Sequence, residues 1–148
     1  DEKICVAVAG MVAKIGIALK VNGMPRSQYF PKVQKLDTSM YMLGWGGATT
    51  DAIFTLQPVL HSRNDKGDGD YNWGNVRDPA FDALIDDAKG DIDEKRRLET
   101  IIKAMQHHHE MVYHIPLHLQ VIPWASRANV EATHRADNWL QATWVKIK

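Results

Sequence analysis

Apolar residues at Ile4, Ala7, Val8, Met11 and Ile15 recur at the spacing of one buried helix face, and Gly16 follows as a C-terminal stop. Ile17, Leu19 and Val21 then alternate with Ala18, Lys20 and Asn22, which predicts a strand closed by Pro25. Ser27 is placed to cap a helix over residues 28–36, with Phe30, Val33 and Leu36 inward and Pro31 confined to the first turn. Met40 to Trp45 is a short apolar run of the kind found in buried parallel strands. Strand, helix and strand over about 30 residues predict a βαβ unit with a right-handed crossover.

Further along, residues 52–60 read as a short helix, and residues 61–74 as a polar, glycine-rich, solvated turn. Asp78 and Pro79 open a helix with Phe81, Leu84, Ile85 and Ala88 on one face, stopped by Gly90. Asp91 or Asp93 caps a longer helix to about residue 112, whose core face would be Leu98, Ile101, Ile102, Met105, His109 and Val112. Glu99 and Lys103 make an i, i+4 pair on its outer side. Ile115, Leu117, Leu119 and Val121 alternate as a strand broken by Pro123, and the weakly periodic tail over residues 125–148 ends in one more candidate strand, Trp144 to Ile147. The expected fold class is α/β, a small, mainly parallel sheet flanked by helices, in a single domain spanning 1–148.

The chemistry of greatest interest lies between Tyr41 and Asp51. An apolar strand runs into Gly44-Trp45, then into Gly46, Gly47, Ala48, Thr49 and Thr50, and then to a carboxylate. Open α/β sheets bind ligands beyond the carboxyl ends of their strands. Trp45 offers a flat face for a ligand, and Asp51 a partner for a cation such as a peptide α-ammonium. The same residues also suit a half-buried Trp45 and an Asp51 that caps the next helix, and the two roles are compatible.

Charge and composition narrow the classes. The chain carries 18 basic and 18 acidic residues, so no basic footprint points to nucleic acid or an anionic membrane. No apolar run approaches the roughly 18 residues of a membrane span. The single cysteine, Cys5, excludes an intrachain disulfide and sits in an apolar helix pattern. His107, His108 and His109 point in different directions on a helix, and the spacing to His114 and His118 matches no zinc signature. If Asp68, Asp70 and Asn72 began a calcium loop, Trp73 would fall where glycine is needed and Pro79 where glutamate is needed. No nucleophile elbow, P-loop or dinucleotide fingerprint is present, so no catalytic residue, metal or cofactor is expected and the chain reads as a non-enzyme. A His-rich metal-binding module or metal-dependent enzyme is the alternative.

Gly44-Trp45 with its spacing to Asp51, the Lys14-Ile15-Gly16-Ile17 turn, Ser27-Gln28-Tyr29-Phe30-Pro31, Asn75 to Ile85, and His114-Ile115-Pro116-Leu117-His118 resemble, in order, lobe II of the bacterial extracellular solute-binding proteins of family 5. Those are the dipeptide and oligopeptide receptors of ABC importers. The resemblance implies a periplasmic-binding-protein-like lobe, with residues 125–148 returning toward an absent lobe I. It implies capture of a peptide or similar small solute outside the cytoplasmic membrane, delivery to a membrane permease, and no covalent chemistry. It also implies ligand contact by Trp45 and Asp51, with Gly44, Thr49 and Thr50 lining the pocket. The chain opens on Asp1-Glu2-Lys3 and shows no signal peptide, and the resemblance favours an internal piece of a longer exported chain. Such a piece would expose apolar surface around Ile115–Trp124 and Trp139–Ile147 and could self-associate. The family often carries several acids after Gly-Trp; here only Asp51 remains.

Overall fold

The computed structural model describes residues 1–47, 49–135 and 137–148. The chain divides into two compact units, one built from Asp1–Trp45 and Pro58–Asp78, the other from Gly46–Gln57 and Pro79–Lys148.

The first unit holds α1 (Glu2–Ala13) and α2 (Arg26–Gln34). α1 ends as its sequence predicts. The Ile17 N–H donates to the Val12 carbonyl at 3.1 Å and Gly16 sits at φ +84°, a Schellman closure in which a left-handed residue lets the last carbonyls find donors. None of the α1 side chains is fully buried: of the expected face Ile4 and Val8 are half-buried, and Ala7, Met11 and Ile15 are exposed. α2 starts at Arg26 with Pro25 at its N-cap position, two residues earlier than expected. Pro31 therefore lies inside the helix rather than in its first turn. Val33, fully buried, carries its inward face.

The second unit begins with one turn of helix, α3 (Ile53–Thr55), which runs into a π-helical turn at Leu56–Leu60 that crosses the unit boundary. Its centre is an antiparallel pair, α4 (Pro79–Gly90) and α5 (Glu94–Met111). Proline opens α4, where a missing N–H costs nothing, and the Asp93 carboxylate caps α5 by accepting the Arg96 N–H at 2.9 Å. Phe81, Ile85 and Ala88 of α4 and Ile101 and Ala104 of α5 are buried. The α5 face is rotated from the expected one, because small Ala104 is the residue buried there. Leu98, Ile102, Met105, His109 and Val112 are exposed.

The expectation of an α/β fold with a mainly parallel sheet is overturned. The structure is 42% helical, and its sheet is a two-stranded antiparallel ladder of β1 (Val130–Glu131) and β2 (Lys146–Ile147), pairing Val130 with Ile147 and Glu131 with Lys146. Of the predicted strands, the last alone is present among the described residues, as Lys146–Ile147, and it is antiparallel. Residues 17–22, 40–45 and 115–121 have no ladder partner among the described residues, so there is no βαβ unit. At residue 42 the reason is visible. The Tyr29 hydroxyl donates to the Met42 carbonyl at 2.7 Å and accepts from the Met42 N–H at 3.1 Å. A side chain thus satisfies both backbone groups that a neighbouring strand would have used. Among the described residues, no helix is long and apolar enough to cross a membrane.

Candidate functional site

Residues 61–74, which their polarity suggests are a solvated turn, are solvated only in part. His61, Asp68, Asn72 and Trp73 are each at most 4% exposed. Asn72 organises the loop. Its amide nitrogen donates to the carbonyls of His61 (2.9 Å) and Val76 (2.8 Å), and its amide oxygen accepts the Val76 N–H (3.1 Å). Asn64 does the same one turn earlier, accepting from the N–H groups of Lys66 (2.8 Å) and Asp68 (3.2 Å) and donating to the Asp68 carboxylate (2.9 Å). Buried polar groups satisfied in this way cost little and fix one conformation. Gly69 makes the crossing possible. It sits at φ +67°, and a Cβ there would lie 2.3 Å from the His61 carbonyl oxygen.

This knot presents Tyr71. The Tyr71 N–H donates to the Pro58 carbonyl at 2.8 Å, and the Trp73 indole N–H donates to the Asp70 carbonyl at 3.0 Å. Tyr71 lies against Trp45, ring centroids 5.0 Å apart and planes tilted by 58°. The contact continues inward from Tyr71 to Trp73 (5.5 Å), and from Trp73 to Phe30 (5.7 Å) and Tyr41 (6.3 Å). The outer pair stays open to solvent, Trp45 at 39% and Tyr71 at 42% exposure, while Trp73 anchors the inner end. Burial raises the pKa of the Tyr41 phenol, opposed by the backbones of Gly74 and Trp73. Tyr71 could not be singled out from the sequence, because its role depends on how the knot folds.

Gly44 and Trp45 belong to the first unit and Thr49, Thr50 and Asp51 to the second. Gly44 has open space around its Cα, so backbone is accessible there. Thr49 and Thr50 are exposed, and the Thr49 hydroxyl accepts the Asp51 N–H at 3.2 Å. Ala48, in the predicted loop, lies outside the described residues. Asp51 is committed on both oxygens. One accepts the Ile53 N–H at 3.0 Å, starting α3, and the other accepts from the Arg97 guanidinium at 2.7 Å. The Ile53 N–H, and then Arg97, hold its carboxyl below the ordinary carboxylate value. Arg97 also donates to the Ala88 carbonyl at 3.0 Å, tying the start of α3 to the end of α4. The capping role weighed for Asp51 is therefore present, and a ligand cation would have to compete with Arg97.

The second unit holds a cleft of about 420 Å³ lined by Gln120, Ile122, His134, Arg135 and Asn138. Trp124 stacks on His134 at 4.7 Å and donates to Asn138 at 2.7 Å. Arg135 pairs with Asp137, whose carboxyl it lowers to about 2, and lies 5.1 Å over the Trp144 ring. Its cation is thus already neutralised. Among the histidines, His107 stacks on Phe81, His108 meets His114, and His109 is exposed.

No family model matches the chain, and no solved structure does. The chain is similar to a protein of Brucella melitensis biotype 1 named "Putative binding protein", 26% identical over 100 residues, covering 58% of this chain and 14% of that protein. A Brucella suis biovar 1 protein of the same designation gives the same 26% over the same shares. The match thus spans 14% of the relatives' own length.

Proposed function

We propose that this chain forms one wall of a solute-capturing receptor, in the manner of lobe II of a family 5 solute-binding protein that serves an ABC importer. The carrying observation is the solvent-open Trp45–Tyr71 pair, backed by buried Trp73. Large aromatic faces held open to solvent by a rigid support suit a flat or apolar part of a ligand. Gly44 leaves backbone accessible in the same unit. The solute is a peptide or similar small molecule. The partial likeness to binding proteins and the ordered motif resemblance both support this reading.

Capture proceeds by binding and hinge closure against lobe I, with no covalent step. The receptor works outside the cytoplasmic membrane and hands its solute to the permease. Apolar side chains at Leu119 (96% exposed), Val121 (87%), Trp139 (72%) and Ile147 (79%) fit a surface that lobe I covers in the parent protein. With half of the pocket missing, the 148-residue chain binds weakly.

Calorimetry of the full-length receptor with a peptide library tests the reading. Trp45→Ala and Tyr71→Ala should each weaken binding by roughly tenfold or more, the scale expected when an aromatic anchor is truncated in a pocket. Unchanged affinity in both variants, or tight binding by the 148-residue chain alone, would sink it.

A further inference from the structure

After α5 ends at Met111, Val112 adopts the left-handed conformation (φ 51°) and turns the chain back on the helix. This brings His114 to His108, with the His108 Nε2 and His114 Nδ1 atoms 3.1 Å apart. The ring centroids are 5.3 Å apart and the planes differ by 22°. That separation is close to the N···N distance plus the two ring half-widths. The rings therefore meet nearly end to end in a common plane, nitrogen facing nitrogen, and one N–H donates to the lone pair of the other.

A chelated metal does not fit this arrangement. Two Zn–N bonds placed end to end need about 4 Å between the nitrogens, and a bent chelate needs both lone pairs turned toward a third point. The setting is aromatic. Phe81 of α4 lies 6.1 Å from the His108 ring, Tyr113 lies 6.2 Å from it, and those two rings are 6.1 Å from each other. His107, stacked on the same Phe81 at 5.7 Å, and exposed His109 are the neighbouring titratable side chains of α5. Tyr113 is the titratable group of the turn itself.

We propose that His108 and His114 form a proton-limited latch, which holds the turn after α5 against the helix and opens when both rings are charged. The proton count gives the mechanism. A neutral pair has one donor and one acceptor at the contact. A first added proton goes to an outer nitrogen and leaves the bond intact. A second must take the accepting lone pair, so two N–H groups face each other across the gap and two like charges share a poorly solvated site. The rings then separate, and the turn loses its His114 attachment to α5, leaving the Tyr113 ring as its remaining contact with His107 and His108.

The electrostatics run the same way. Burial lowers the pKa of both histidines below the ordinary 6.5, and for His108 the neighbouring His114 and His109 lower it further. A folded-state value below the unfolded one means that the neutral form stabilises the fold. That contribution is complete above about pH 6.5 and is lost as pH falls through the folded value. This inference is independent of the solute-binding reading.

The test is a pH titration of the 148-residue protein by histidine-detected NMR, with hydrogen exchange followed at residues 109–115. His108 and His114 should titrate together, below the ordinary histidine value of 6.5, and exchange at the turn should accelerate over the same window while the centre of α4 stays protected. His114→Gln should bring the His108 titration up toward its ordinary value and remove the acid-induced loosening, whereas His118→Gln should leave both unchanged. Independent titration of His108 and His114 at the ordinary value in the unmodified protein would overturn the latch without recourse to any variant. So would a zinc-induced rise in melting temperature that His114→Gln abolishes, since the pair would then be a chelate.

Discussion

Residues 61–76 and residues 115–122 invert the usual relation between polarity and burial. The first stretch is rich in Asp, Asn and Gly, and it buries His61, Asp68 and Asn72. The second alternates Ile, Leu and Val, and it leaves Leu119 and Val121 almost wholly in solvent. Hydropathy measures what a side chain gains if it is buried. It does not say whether a surface is present to bury it, nor whether a polar loop can satisfy its own hydrogen bonds. Asn72 and Asn64 close the first loop locally. An apolar strand has no such internal solution, because its backbone needs a second strand and its side chains a second layer.

The most severe test of this contrast is Gly69→Ala. The added methyl meets backbone at 2.3 Å from the His61 carbonyl and 2.7 Å from the Arg63 nitrogen, and neither can move without opening the knot. We expect a loss of about 3 kcal/mol or more in urea unfolding, with Tyr71 and Trp45 separating. A melting curve like that of the parent protein would mean that the loop is not held as described.

Asn72→Ala comes next. It removes three bonds and leaves the His61 carbonyl and the Val76 peptide group to find new partners, for a loss of about 2–3 kcal/mol. Trp fluorescence should report the exposure of Trp73 in this variant, and a buried Trp73 at full stability would break the comparison.

Asp51→Asn probes the other unit, where the candidate ligand acid proves to be a cap. Its carboxyl is held below the ordinary 3.8, so its contribution is present above that value and is lost as pH falls through the folded value. Because the pair is partly exposed, the loss should be only about 0.5–1 kcal/mol at neutral pH, and the variant should flatten the acid limb of the stability curve. Arg97→Met should give a similar effect, and strict additivity of the two changes would show that they do not interact.

The smallest effect on stability belongs to the apolar segment. Leu119→Ser with Val121→Ser should change unfolding free energy by less than about 0.5 kcal/mol, since these side chains are already in water. Sedimentation should instead show less self-association, the behaviour expected of an uncovered apolar surface. A large destabilisation would place these residues in a core.

Much of the candidate site was open to sequence reading one residue at a time. Trp45 reads as an aromatic plane after glycine and Asp51 as an acid before a helix; in the structure Trp45 is 39% exposed and Asp51 accepts the Ile53 N–H at the start of α3. Their grouping was not readable. Trp45 pairs with Tyr71, 26 positions away and inside a loop that looked solvated, while Asp51 pairs with Arg97 of α5. Neither partner carries a local signal, because each contact depends on how distant elements pack.

What the sequence determined by itself is the set of local structures whose hydrogen bonds close within four or five residues. Gly16 ends α1, Pro79 opens α4, and an aspartate caps α5, the structure choosing Asp93 over Asp91. The tertiary structure decided the rest: that Tyr29 rather than a strand satisfies Met42, that Ala104 rather than Met105 is buried, and that polar His61, Asp68 and Asn72 are buried. Those outcomes turn on partners far along the chain. A strand pattern states only a need for pairing, and the fold determines whether anything meets it.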